Sequence, residues 1–231
     1  MDLWDALARL AESEQDWVEV ESLGGGWPED PSRGGGGCEF GFVQRRLGAE
    51  PLSLLRWASI QPPDLLRGIS EGFQALGEDE TFDLRHQGHY DWQVREHRYK
   101  IQIDHTHLDR DKVTIEQARK MVLTRFRFLR SKLVEDLTLG EKIFLYRLAD
   151  TNVASEEIEG LGRAVNQYGR NTLVFVMRSP AQSENVRVVR QREGLIVATL
   201  APAPELSMGI KYDAWLELCR FAHAAVKGEM A

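Results

Sequence analysis

Residues 142–177, KIFLYRLADTNVASEEIEGLGRAVNQYGRNTLVFVM, decide the fold. Two short apolar runs, Lys142 to Leu148 and Thr172 to Met177, flank a segment with helical spacing from Ser155 to Tyr168. Strands alternating with helices predict an α/β layer with a mainly parallel sheet flanked by helices. Ser155 is placed to cap the helix by itself, since the residue three positions on is Ile158 rather than a glutamate or glutamine. Glu156, Glu157 and Glu159 sit in the first turns, where the helix dipole favours acids.

Downstream, Val186 to Val189 and Leu195 to Leu200 read as two more strands, and Tyr212 to Val226 as a closing helix. Upstream, Thr114 with Gln117 fits a capping box. It opens the longest helix, whose apolar stripe is Ile115, Ala118, Val122, Phe126, Leu129, Leu133 and Leu137, and Gly140 ends it. Before that helix the chain is β-like, with a β-hairpin insertion expected near residues 82–108. Its strands are Tyr90 to Val94 and Tyr99 to Ile103, joined through Arg95 to Arg98. Further back come three helical stretches, at 62–76, 51–57 and 38–47, then a first strand from Trp17 to Leu23 and an amphipathic segment at 3–13 with Leu3, Trp4, Leu7 and Leu10 on one side. Between strand and helix, half of the fourteen residues from Gly24 to Gly37 are glycine, which predicts a loop. The 231 residues show no repeat and no clear linker, so one domain over 1–231 is expected.

A net charge of −7 argues against a general nucleic-acid binder, which needs a basic surface. Two cysteines in a chain of this length predict reduced thiols in a cytoplasmic setting rather than a disulfide scaffold. The acidic N-terminus lacks the basic and apolar regions of a signal peptide, and no apolar run reaches the ~18 residues that cross a bilayer, so no membrane partner is expected. Neither GxxxxGK[ST] nor a GxGxxG between strand and helix occurs, so no nucleotide cofactor is expected.

The chemistry gathers at Cys38, where the glycine run meets a helical pattern. A helix N-terminus stabilises a thiolate, the reactive form of cysteine, and amides around Gly37 and Glu39 could bind an oxyanion or another anion. The ordinary alternative is a buried small hydrophobe. Cys219 lies mid-helix beside Leu218 and Phe221 and reads as structural. Five of six histidines fall between His86 and His107. On a strand, His105 and His107 would share one face. One of them could serve Cys38 as a base, the pair could hold a metal with a third ligand, or all could be solvated side chains. Arg125, Arg127 and Arg130 read as a solvated helix face, and Trp57 and Trp215 as core.

GCEFGFVQRRLGAEPLSLLRWA, residues 37–58, resembles a bacterial domain-of-unknown-function family described as papain-like cysteine peptidases. Leu23-Gly24, Cys38 to Gly41 and Gly48 to Leu52 match its motifs, and YKIQIDHT, Tyr99 to Thr106, looks like its later strand. The resemblance extends to Lys142–Leu148, Thr172–Met177 and Trp215–Ala222. It implies a Cys38 nucleophile with His105 as base, and Asp213 as third member by position; Asp150 and Asn152 are equal candidates. The family's asparagine before the cysteine is Gly37 here, and its short preceding step is expanded to Gly25–Gly37. A papain-like label implies a helical lobe and an antiparallel β lobe, whereas the alternation read above implies a β-α-β layer.

The leading expectation is a cysteine-dependent hydrolase or acyl transferase acting on a small-molecule or peptide carbonyl substrate. The other two readings are a non-catalytic binding or assembly module on the same scaffold, and a metal-dependent enzyme using His105 and His107. The sequence leaves the oligomeric state open.

Overall fold

A computed structural model describes residues 20–26, 38–78, 81–86, 90–149, 153–179, 185–201 and 210–228. Its strands are β1 (Val20–Gly26), β2 (Ala58–Ser59), β3 (Phe82–Arg85), β4 (Gln93–Glu96), β5 (Gln102–Ile103), β6 (Ile143–Leu148), β7 (Thr172–Arg178), β8 (Val186–Arg192) and β9 (Leu195–Leu200). The helices are α1 (Glu39–Arg46), α2 (Pro62–Ser70), α3 (Ile115–Leu139), α4 (Ser155–Asn166) and α5 (Tyr212–Lys227). All nine strands form one sheet in the order β3-β4-β5-β2-β1-β6-β7-β9-β8.

The sheet is mixed rather than mainly parallel. Four pairings among the described strands are parallel (β2-β1, β1-β6, β6-β7, β7-β9) and four are antiparallel. The parallel part is the expected β-α-β layer. The segment near 82–108 contains the expected hairpin, as β4 and β5, but does not stand apart as an insertion. β5 pairs with β2 through Ala58 and Ile103, so β3, β4 and β5 extend the sheet. Short polar strands such as Gln102–Ile103 carry little apolar signal, and their place in the sheet depends on β2, itself two residues long.

Strand alternation sends side chains to two separate cores. Phe144, Tyr146, Leu173, Phe175, Leu195 and Val197 pack under α2, α3 and α4. Ile143, Leu145, Val174, Val176, Ile196 and Ala198 pack under α1 and α5. The result is a sheet with helices on both faces.

Several local signals are realised as read. Thr114 and Gln117 form the reciprocal capping box, worth about 1 kcal/mol, and Gly140 ends α3 in the left-handed region at φ 69°. The predicted stripe is buried except for Ile115, which is exposed. Others are not. Gly24–Gly26 belong to β1 rather than to the loop. Gly24 has φ 74°, and a Cβ there would stand 2.7 Å from the Ala58 carbonyl oxygen and 2.9 Å from that of Leu55. Only glycine fits this bulge without strain. Residues 51–57 are not helical, because Arg56 turns inward and pins the stretch. The N-cap of α4 is Ala154, with no side-chain cap, and Ser155 is the first helical residue. The amphipathic segment at 3–13 and the loop residues 27–37 lie outside the described residues.

β8 is an outer strand. Its pairing with β9 is bulged between Val188 and Arg190, and it carries Arg187, Arg190 and Arg192. Glu159 of α4 reaches both Arg190 (2.5 Å) and Arg192.

Candidate functional site

β1 leads by way of α1 toward β2 on one side, whereas β6 leads through α4 to β7 on the other. The winding therefore reverses between β1 and β6, and the carboxyl ends of these two strands form a topological switch point. In open α/β sheets such points are where ligands bind.

α1 begins at this switch point, and each residue of its CEFG start has a local reason. Cys38 takes the N-cap position at φ −86° and ψ −8°, with no side-chain cap bond, and its carbonyl accepts from the Phe42 amide at 3.1 Å. The Glu39 carboxylate accepts from Arg147 Nε at 3.2 Å and from Trp215 Nε1 at 2.9 Å. Phe40 stacks on Trp215 with centroids 5.3 Å apart. Gly41 admits the approach of Arg56 and Trp57, since a Cβ there would be 2.9 Å from Trp57 Cζ3. Buried Arg56 donates to the carbonyls of Gly41 (2.9 Å) and Ala49 (3.0 Å) and to Glu50 (2.6 Å). The stretches CEFG and GAEPL thus hold the helix to the sheet and to the turn before β2.

The Cys38 thiol is partly buried. Burial first, and the charge of Asp104 second, push its pKa from the ordinary 9.0 up to about 11. The expectation of a stabilised thiolate is corrected here: desolvation and a like charge outweigh the helix N-terminus. Asp104 is held by Arg95 Nη2 at 2.6 Å and Gln93 Nε2 at 3.2 Å. The end of β5 thus lies near enough to α1 for its carboxylate to act on the thiol.

Among the other expected site residues, Asp213, His107, His86 and His97 each contact partners other than Cys38. His105 and His107 are both exposed, with buried Thr106 between them, but β5 ends at Ile103, so the two do not sit on the strand expected to carry them. Thr106 Oγ1 donates to the Trp92 carbonyl, which fixes the segment. The His107 amide donates to Asp91 at 3.1 Å, and its φ is 58°. His86 contacts Arg110 at 3.3 Å and the Trp92 ring edge-on, while His97 contacts Asp83 at 3.2 Å. No group of three metal-ligating side chains assembles among the described residues. Asp213 is exposed in the first turn of α5, where it accepts from Asn185 Nδ2 at 3.3 Å. Gly37, His89, Asp150 and Asn152 lie outside the described residues. Cys219 is buried in α5, its thiol pushed up to about 12, in keeping with a structural role.

Sequence reasoning missed Arg147, Tyr146 and Asp104. Arg147 is buried beside Glu39, and Tyr146 donates its hydroxyl to the Ile60 carbonyl at 2.8 Å, tying the ends of β6 and β2. The signal was present: tyrosine and arginine in the otherwise apolar run IFLYRL. A buried polar group needs a partner, so each marked a contact to be found.

Comparison with known proteins found no matching family model, no matching curated protein and no matching solved structure. Among the described residues, no helix is long and apolar enough to cross a membrane.

Proposed function

We propose that this protein is a ligand-binding module whose site is the switch point at the carboxyl ends of β1 and β6. The observation that carries this reading is the reversal of winding there, with the N-terminus of α1 opening onto it. The first amides of a helix have no intrahelical partner and favour an anionic or carbonyl group. The ligand class is therefore a small molecule or peptide presenting a carboxylate or carbonyl. The high thiol pKa supports binding over chemistry, because a protonated cysteine is a poor nucleophile. A titration with acetate and an N-acetylated dipeptide, followed by amide NMR, tests it. Shifts centred on Glu39, Phe40 and Gly41 are expected; shifts confined to other regions, or none, would end the proposal.

A second reading has one observation in its favour, the position of Cys38 at the start of α1. In it, the His105 imidazole takes the thiol proton, the thiolate adds to a substrate carbonyl, and the helix amides receive the oxyanion. The leaving group departs with the imidazolium proton, and water or a second acceptor releases the acyl group from sulfur. Substrate binding has to lower the thiol pKa. Turnover lost in Cys38→Ala and His105→Ala but kept in Cys219→Ala is the result this reading requires.

A further inference from the structure

A cavity of about 530 Å³ lies at the amino ends of β7 and β9. The switch point is at the opposite, carboxyl end of the same parallel layer. The volume is that of a small-molecule site, which commonly measures about 300–1,000 Å³. Three segments enclose it: the turn from α4 into β7, the turn between β8 and β9, and the last turn of α5.

Hydrogen bonds hold these walls in place. Asn166 Nδ2 donates to the carbonyls of Gly162 at 2.9 Å and Gly194 at 3.1 Å, which ties the β8–β9 turn to α4. Gly194 turns at φ 73°, and a Cβ there would stand 2.7 Å from the Asn166 amide. Asn171 Nδ2 donates to the carbonyls of Leu137 at 2.7 Å and Val165 at 3.0 Å, which ties the start of β7 to the ends of α3 and α4. Arg192 pairs with Glu159 of α4 and donates to the Glu193 carbonyl at 3.1 Å. A cavity held open in this way costs little ordering when a ligand enters.

Other polar groups of the lining are uncommitted. Arg170 and Glu193 are exposed and pair neither with each other nor with any other charge among the described residues. Thr172 and Gln191 make no side-chain hydrogen bond among the described residues. Ile196, Ala225 and Val226 supply an apolar wall. A guanidinium and a carboxylate that line one cavity without meeting complement a ligand that carries both charges. The apolar wall complements a hydrocarbon side chain.

We propose that this cavity is a second ligand site, separate from the switch point, and that it takes a free α-amino acid with an apolar side chain. Arg170 donates to the ligand carboxylate and Glu193 accepts from its ammonium group. Thr172 and Gln191 add hydrogen bonds, and the side chain lies against Ile196, Ala225 and Val226. The test is amide NMR of the 15N-labelled full chain at pH 7, titrated with L-leucine. Parallel titrations use 4-methylpentanoate and 3-methylbutylamine, which each keep one of the two charges. Leucine is expected to shift the amides of Thr172, Gly194 and Ala225. Each analogue should bind at least about tenfold more weakly, as loss of one hydrogen bond between charged groups implies. Arg170→Ala, at an exposed position with no ion pair among the described residues, should weaken leucine binding by a similar factor. Ala225→Phe, which fills the cavity, should abolish the shifts. Equal binding of leucine and either analogue would overturn the proposal, as would unchanged binding in either variant. Shifts confined to Glu39, Phe40 and Gly41 would place leucine at the switch point and overturn it too, as would the absence of any shift at millimolar leucine.

Discussion

Glu39 and Trp215 lie 176 residues apart in the chain, yet a carboxylate oxygen of Glu39 accepts from the indole N–H at 2.9 Å. The other oxygen accepts from Arg147. One side chain at the start of α1 therefore joins the helix to the middle of the sheet and to the closing helix α5.

Glu39→Ala should remove about 3 kcal/mol of stability, because it leaves a buried guanidinium unpaired. Glu39→Gln keeps an acceptor for the indole and should lose less. Urea unfolding of both variants checks this; equal losses would mean that the Trp215 bond contributes nothing.

Glu21 on β1 is 1% exposed, 3.7 Å from Lys142. Burial raises its pKa more than Ser53, Lys132 and Lys142 lower it. A raised carboxyl pKa gives stability that is full below the unfolded value near 4.5 and is lost as pH rises through the folded value. Glu21→Gln should therefore stabilise the protein at pH 7, by about 1 kcal/mol, and flatten the decline above pH 4.5. Thermal melts across pH 4 to 8 measure it, and a lower Tm for the variant at pH 7 would show that the lysines outweigh the burial.

The Cys38 thiol titrates near 11 in the fold and near 9.0 when free. The unfolded chain releases this proton first, so stability falls as pH rises between those values. Cys38→Ala should flatten that alkaline decline by about 1 kcal/mol, the linkage being reduced for a thiol that is only partly buried. Iodoacetamide labelling of Cys38 in the wild type should still accelerate beyond pH 9.5. A plateau below pH 8 would instead reveal the stabilised thiolate that the catalytic reading needs.

Gly24→Ala places a methyl against two carbonyl oxygens at a positive φ. A loss of about 2–3 kcal/mol is expected, from overpacking together with backbone strain. Gly48→Ala is the control: its φ is 81°, but a Cβ there meets nothing within 4 Å. It should lose only about 1 kcal/mol, from strain alone.

The second half of the chain was legible because its central strands β6, β7 and β9 are largely apolar and its helices are amphipathic. β9 starts and ends where the apolar run from Leu195 to Leu200 does. Residues 51–57 misled because their apolar spacing looks helical, while the stretch is shaped by Arg56 reaching back to Gly41 and Ala49. That contact joins groups up to fifteen residues apart, beyond any local pattern. The cysteine was legible as the start of a helix, but its protonation was not. The groups that set it are a neighbouring strand end and the burial around the sulfur. The CEFG motif could be read as catalytic from the sequence. In the structure, Glu39, Phe40 and Gly41 each have a packing role.

The outer strand β8 has a consequence for assembly. An open sheet edge is a template on which another chain can add a strand, and a regular apolar edge invites fibres. Here the bulge between Val188 and Arg190 breaks the repeat of free backbone groups, and three arginines repel an identical edge. Glu159 orders two of those arginines without neutralising the third. These features make this edge a poor template for the addition of another strand.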